Sequence, residues 1–256
     1  MRSIYLTIVL SCLSTLAVSA TPFEEGLNAY SSADYPQAIT LFSRALEDNE
    51  PSAEAYYNLG AAYYKNGDIA PAILNFSRAY RLDPADQDTR YNLNLVSSQI
   101  VDNMEPMPKL FLSEWINDMS HWFTLGTWRI LGVIFIVLTL IGIFLYFRGR
   151  SVGVCRGGFY GAIVALILGI LSHALAYQSY CFTHDTKEAI LMSGVVTVKS
   201  SPDASSKDIV VIHEGLKVEV LQRLSGFSEV LLPDGTKGWI PIDAYEKINN
   251  FSQDIR

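Results

Sequence analysis

Two uncharged apolar runs stand close together in the middle of this chain. Residues 130–147 read ILGVIFIVLTLIGIFLYF and residues 157–180 read GGFYGAIVALILGILSHALAYQSY, neither with Asp, Glu, Lys or Arg. A helix needs about 20 apolar residues to cross a bilayer core, and both runs reach that length. Runs this long and uncharged do not suit the core of a soluble helical pair. The sequence therefore predicts two transmembrane helices, at 127–147 and 157–181. The loop between them, 148–156, reads RGRSVGVCR and carries Arg148, Arg150 and Arg156. Short loops rich in Arg stay in the cytoplasm, so both flanks are expected on the opposite side. Gly161, Ala165 and Gly169, followed by Ser172 and Ala176, form a small-residue stripe on which the first helix can pack closely. His173 lies about two turns from the outer end of the second run and reads as an interfacial histidine. Neither run offers an acidic partner for a proton relay.

The net charge of −7 is unevenly placed along the 256 residues. Residues 21–125 hold 15 acidic and 6 basic side chains, residues 126–184 hold four Arg and no acid, and residues 185–256 hold 11 acidic and 8 basic. The segments outside the apolar runs are thus acidic, which argues against nucleic acid as a partner. Of the three cysteines, Cys12 falls in the N-terminal apolar stretch, while Cys155 and Cys181 sit at opposite ends of the second run. About 26 helical residues at ~1.5 Å each separate that pair, far beyond disulfide reach. His121, His184 and His213 lie in unrelated segments. His213-Glu214-Gly215 lacks a second metal histidine and reads as a turn at a strand end. No phosphate loop, nucleophile elbow or paired-His metal motif is present, so the sequence predicts no enzyme, no metal and no cofactor.

Residues 1–20 read as a signal peptide, with Arg2 at the start, an apolar centre and Val18-Ser19-Ala20 at the cleavage site. A lipoprotein signal at Cys12 is the weaker alternative, since Leu10 stands where a small residue is expected. Export of the N-terminus agrees with the orientation set by the arginine loop.

Residues 21–104 repeat themselves at an offset of 34. GLNAYSSADYPQAITLFSRAL begins at Gly26 and GAAYYKNGDIAPAILNFSRAY at Gly60, with Ala38, Phe42 and Ala45 falling on Ala72, Phe76 and Ala79. In the second copy Tyr56, Leu59, Gly60, Tyr63, Gly67, Ala72, Phe76, Ala79 and Pro84 match the tetratricopeptide repeat, which this region resembles. The first copy departs, with Ala33 where the turn glycine is expected. Gly60 and Ala72 allow the paired helices to approach, Phe76 and Tyr63 are expected between repeats, and Asn66-Gly67-Asp68 is a turn with a following cap. Pro84 stops the second helix. Residues 85–103 then read as a terminal cap helix marked by Tyr91, Asn92, Leu93 and Leu95. The resemblance implies that first helices line a concave face for extended peptides. On this chain that face would comprise Tyr57, Asn58, Ala61 and Tyr64, with Tyr91 and Asn92 from the cap. Asn58 and Asn92 share the position that holds a ligand backbone in the family. They can equally bond within the repeat.

Residues 107–126 place Phe111, Trp115, Ile116, Met119, Trp122 and Phe123 at three- and four-residue spacing. Aromatic residues just outside a span favour an amphipathic helix on the membrane surface over one packed on the repeats.

Beyond Cys181 the period becomes alternating. GVVTVKSSP, IVVIHEG, KVEVLQ, SEVLL and KGWIPI read as five short strands, with hairpin turns at Gly226 and at Pro233-Asp234-Gly235. Residues 187–249 are predicted to form a small barrel. VTVKSSPDASS, IHEGLKVEVL and DGTKGWI resemble the bacterial SH3-like (SH3b) domain. That resemblance implies a groove near Phe227, Trp239 and Tyr245. Lys199 and Phe227 stand where the family usually has Arg and Trp.

The whole is thus read as a multidomain α + β membrane protein: a helical tetratricopeptide-repeat domain, a two-helix transmembrane hairpin and a small all-β SH3-like barrel. The order of parts, with RYNLNLV after the repeats and HEGLKVEVL and DGTKGWI near the end, resembles the BatE-like aerotolerance-related proteins of Bacteroidetes. That resemblance implies an inner-membrane, non-enzymatic scaffold. Its repeat and SH3-like domains would face the periplasm and meet von Willebrand-type membrane proteins of a Bat-type assembly. The alternative is a periplasmic protein that binds peptidoglycan or senses the envelope through its SH3-like domain.

Overall fold

The computed structural model describes residues 21–49, 51–102, 104, 107–108 and 111–249; the predicted signal segment lies outside the described residues. Five helices open the chain: α1 (Pro22–Ser31), α2 (Tyr35–Asp48), α3 (Ala53–Asn66), α4 (Ile69–Leu82) and α5 (Gln87–Ser97). Their starts follow local chemistry. Thr21 and Glu24 form a reciprocal capping box on α1, Ser52 Oγ accepts from Ala55 N at 3.1 Å, and Asp86 accepts from Asp88 N and Thr89 N. Asp68 occupies the cap of α4 but makes no side-chain cap bond; Asn66 Nδ2 donates to its carboxylate instead, at 2.6 Å.

Each repeat closes on a glycine. A Cβ at Gly26 would stand 2.7 Å from the Phe42 ring, and one at Gly60 would stand 3.1 Å from Phe76. Phe76 therefore packs inside its own repeat, and the core cluster it belongs to also takes in Val96 of α5. Tyr63 joins the two repeats, packing against both helical core clusters. The turn between α1 and α2 bends through Ala33 at φ +61°, where the second repeat uses Gly67 at φ +97°.

The C-terminal part is one antiparallel sheet of seven strands among the described residues. These are β1 (Glu188–Leu191), β2 (Val195–Lys199), β3 (Asp208–His213), β4 (Lys217–Leu224), β5 (Phe227–Leu231), β6 (Lys237–Pro241) and β7 (Tyr245–Lys247). The spatial order is β3-β2-β6-β5-β4-β1-β7, so β3 and β7 are edges and the sheet is open where a closed barrel was expected. β1 and β7 are additions to the five strands read from sequence; with four and three residues, they are too short for alternation to announce them. Ser225 and Gly226 both have positive φ, the signature of a tight hairpin turn between β4 and β5. Register shifts at Val198/Lys199 and Val220/Gln222 mark bulges, which bend a sheet around its apolar face. That face carries Val198, Ile212, Val218, Val230 and Ile240, all buried.

Repeats and sheet are packed together. Ile190 and Ile248 of the sheet side share a core with Ala72, Ile73, Leu74 and Phe76 of α4 and Val96 of α5. Each buried Ile or Leu is worth about 1.5–3 kcal/mol. After α5 the chain runs onto the sheet: Asp102 accepts from the backbone N of His213 and lies 2.9 Å from its Nδ1, and Met107 N donates to Pro233 O at 3.0 Å.

Three helices separate these two parts in sequence: α6 (Phe111–Ser120), α7 (Leu125–Arg148) and α8 (Val152–His184). α7 and α8 are long and apolar enough to cross a membrane, and most of their large apolar side chains are exposed. α8 begins at Val152, so the connection between them is only Gly149 to Ser151, and part of the expected loop is helical. Gly142 and Gly158 meet at the closed end, a Cβ on Gly142 standing 2.8 Å from Gly158 O. The buried stripe of α8 includes Gly158, Ala162, Ala165, Gly169, Ser172 and Ala176; Gly161 is exposed and faces open space. His173 packs over Gly132 and its Nδ1 lies 3.0 Å from Gly169 O. Trp128 Nε1 donates to Ser120 O at 3.0 Å, fixing the end of α6 to the start of α7. Phe111, Trp115, Ile116, Trp122 and Phe123 all remain exposed.

Candidate functional site

The first helix of each repeat and the cap helix present the same ladder of positions, spaced by 34 residues. Phe23, Tyr57 and Tyr91 form one rung; Glu24, Asn58 and Asn92 a second; Leu27, Ala61 and Leu95 a third. The side of α4 turned to the sheet is covered, whereas this ladder retains exposed apolar surface. Tyr91 is 67 % exposed, Leu27 39 % and Leu95 37 %.

The residues expected on the concave face are brought together in part. Asn92 Nδ2 donates to Tyr57 Oη at 2.9 Å, linking α5 to α3, and the Tyr57 ring meets Phe76 edge-on at 5.6 Å. Burial raises the Tyr57 pKa, aided by Asp88 and Asp86 nearby, so the phenol remains a neutral hydrogen-bonding group. Tyr64 Oη accepts from Gln99 Nε2 at 2.9 Å. Ala61 is half-buried between these tyrosines. Asn58 Nδ2 donates to Glu54 O, one turn back on its own helix, at 2.9 Å. Asn92 makes the equivalent bond to Asp88 O at 3.1 Å. Asn58 thus bonds within its own helix, and Asn92 bonds both within its helix and across to α3. Among the described residues neither Oδ1 accepts a hydrogen bond, and each can take one from a backbone N–H. The sequence reading leaves Leu27, Leu95 and Phe23 off this face, though it names Leu95 in the cap helix; carrying the offset of 34 from Ala61 and Tyr57 finds all three. Glu24 holds the equivalent place to the two Asn residues but is spent on the Thr21 cap, its Oε2 lying 3.0 Å from Thr21 N.

The residues proposed for a groove on the sheet divide between its two faces. Phe227 pairs in register with Pro241, and Trp239 with Glu229 and Lys199; both rings are half-buried on the outer face. Tyr245 is 7 % exposed on the inner face, where its Oη meets Ser228 Oγ at 2.8 Å and accepts from Arg223 Nε at 3.1 Å. Tyr245 thus ties β7 to β5 across the bend of the sheet and does not join the other two.

Behind the ladder, α4 carries two cations into the junction. Arg78 donates to Glu246 at 2.6 Å and to the carbonyls of Lys247 and Ile248. The Arg81 side chain is 2 % exposed. It donates to Phe182 O at 2.6 Å and Asp185 O at 2.9 Å, at the end of α8, and pairs with Glu188 of β1 at 2.5 Å. A cation on the last carbonyls of a helix also complements its dipole. Burial alone would raise the Glu188 carboxyl, but the Lys217 and Arg81 cations outweigh it and hold its pKa below the usual range. One guanidinium therefore joins the repeats, an apolar helix and the sheet.

No group of three or more His, Cys, Asp or Glu with metal-binding proximity occurs among the described residues. Residues 23–87 match the tetratricopeptide-repeat family model. This segment is similar to tetratricopeptide repeats. No curated protein and no solved structure matches the chain. Such repeats are protein-interaction modules, and the match covers α1 through the start of α5, the helices that carry most of the ladder.

Proposed function

We propose that this chain is a non-enzymatic scaffold anchored in a bacterial inner membrane. α7 and α8 cross the bilayer as a hairpin, with the arginine loop in the cytoplasm and both flanks in the periplasm. The repeat ladder takes an extended segment of a partner membrane protein. The observation that carries this reading is the division of the repeat module into a sealed back and an open front. α4 is buried against the sheet, while Tyr91, Leu27 and Leu95 stay exposed on the other side. A module that only built a core would have no reason to keep that ladder open. The sheet, which we read as an SH3-like domain, braces the repeats. The order of parts supports a BatE-like member of a Bat-type assembly, with von Willebrand-type membrane proteins as partners. Crosslinking in native membranes followed by purification tests this. Recovery of such partners by the wild type, and their loss from a Tyr91→Ala/Leu95→Ser variant, supports the scaffold; recovery of the free chain alone contradicts it.

Phe227 and Trp239 on the outer face of the sheet favour a second reading, peptidoglycan binding. It predicts that the detergent-solubilised chain pellets with purified sacculi and that Trp239→Ala does not. Equal recovery of both in the pellet, or of neither, removes it.

A further inference from the structure

A cavity of about 320 Å³ opens beside the first turn of α5, next to the residues that lead into α7. Pro84, Asp86, Gln87, Arg90, His121 and Trp122 line it. His121 is 9 % exposed and held on two sides: its Nδ1 lies 3.1 Å from Tyr80 Oη, and its ring packs on Phe182 at 4.5 Å. Its Nε2 is buried and has no hydrogen-bond partner among the described residues. Burial lowers the His121 pKa and raises that of Tyr80, so both are neutral near pH 7. In the tautomer in which the phenol donates to Nδ1, the imidazole carries its proton on Nε2, a buried donor that lacks an acceptor.

Arg90 is exposed on the rim and makes no ion pair among the described residues. Two acidic groups face this region. Asp86 is occupied by the α5 cap, accepting from Asp88 N, Thr89 N and Thr89 Oγ1. Asp118 lies near the ring of His121 on the α6 side. What remains to offer is a guanidinium and an imidazole N–H, a pair that suits an oxyanion with several acceptor oxygens. The depth also matters. His121 precedes Thr124, the cap of α7, by three residues, and Trp122 and Phe123 are 64 % and 43 % exposed at the start of that apolar helix. Aromatic side chains at such a position mark the headgroup level of a bilayer.

We propose that this cavity binds the phosphate of a membrane phospholipid, seated between Arg90 and His121 Nε2–H. The proposal rests on the reading of α7 as a membrane span. A bound headgroup would pin the foot of the repeat module to the bilayer surface and set the height at which the ladder stands above it.

The test is native mass spectrometry of the full detergent-solubilised chain titrated with dioleoyl phosphatidylglycerol, with inorganic phosphate in a parallel arm. Arg90→Gln alters an exposed side chain. His121→Phe keeps the aromatic packing on Phe182 and removes the N–H. The wild type is expected to retain one lipid at about tenfold lower lipid concentration than either variant. Loss of that lipid to added inorganic phosphate would also support a phosphate site and make the free anion its source; resistance to phosphate assigns it to the lipid. Equal lipid retention by wild type and both variants overturns the proposal, whether that binding is specific or merely annular. Flotation of the same three proteins with liposomes separates this from failure of the span itself: if all three float, the anchor stands and only the headgroup site is lost.

Discussion

α2 and α4 are the same helix of the repeat written twice, 34 residues apart, yet they live in different surroundings. In α2 only Ala38, Phe42 and Ala45 are buried, the residues that close the repeat on its own first helix. In α4 the equivalent Ala72, Phe76 and Ala79 are buried too, joined by Ile73, Leu74, Asn75, Ser77 and Arg81. Thr40 of α2 is exposed where Leu74 of α4 is buried, and Glu47 is exposed where Arg81 is buried. Arg44 pairs with Asp48 on an exposed surface, while its counterpart Arg78 reaches Glu246 with only 12 % of its side chain exposed. The repeat motif is satisfied by one face of each helix. What is added to α4 is a second buried face, with apolar side chains and two arginines placed to receive the sheet.

The contrast can be broken most severely at Arg81. Arg81→Leu removes the cation from Glu188 and from the carbonyls of Phe182 and Asp185. Breaking a buried pair from one side costs about 3–5 kcal/mol. Urea unfolding of the full chain, followed by circular dichroism, should show a loss of that size, whereas Glu47→Leu at the matching place in α2 should change little. A loss under about 1 kcal/mol for Arg81→Leu would mean the guanidinium is not the bolt described here.

Overpacking should be felt in both repeats. Gly60→Val drives a branched side chain toward Phe76, and Gly26→Val does the same against Phe42. Each should cost about 1–3 kcal/mol by thermal unfolding. If the braced α3–α4 pair yields less readily than α1–α2, Gly60→Val will fall at the upper end.

Acid should loosen the junction before the repeats. The Glu188 pKa is lowered in the folded state, so its contribution is complete above the ordinary carboxylate range and is lost as pH falls through the lowered value. Tm measured from about pH 6 to 3 should decline below about pH 4.5. Glu188→Gln should flatten part of that decline; an unchanged pH profile in the variant would detach Glu188 from the effect.

The smallest changes sharpen the comparison at its turns and surfaces. Ala33 holds φ +61° where the second repeat has Gly67. Ala33→Gly should therefore stabilise by up to about 1 kcal/mol and Gly67→Ala destabilise by a similar amount, both read from urea midpoints. Arg44→Ala should stay within about 0.5 kcal/mol, as exposed ion pairs do. A larger effect at Arg44 than at Arg78 would invert the account.

Much of this was legible in the residues. Periodicity reveals the repeats because each unit must place Gly, Ala and Phe at fixed spacing to close on itself, and the apolar runs follow from length and the absence of charge. The hairpin turns at Gly226 and Gly235 need positive φ, which Gly supplies. Contacts between distant segments left weaker marks. Arg81 lies more than one hundred residues from Glu188, and nothing local in RAYRLDP tells a buried arginine from a solvated one. β1 and β7 are short and exist mainly through pairing with each other and, for β1, with β4. Tyr245 is placed at the groove by resemblance alone, and the break in strand alternation between Pro241 and Tyr245 hides the face it takes.

The central claim is that α4 belongs to one stable body with the sheet, leaving the ladder as the open side. Native-state hydrogen exchange of the full chain in detergent tests it most directly, since amides that open together share one free energy. The account predicts that α4 and β1 amides exchange with the same, highest protection and that α2 amides exchange faster. Protection of β1 alone, with α4 opening at the rate of α2, would contradict it.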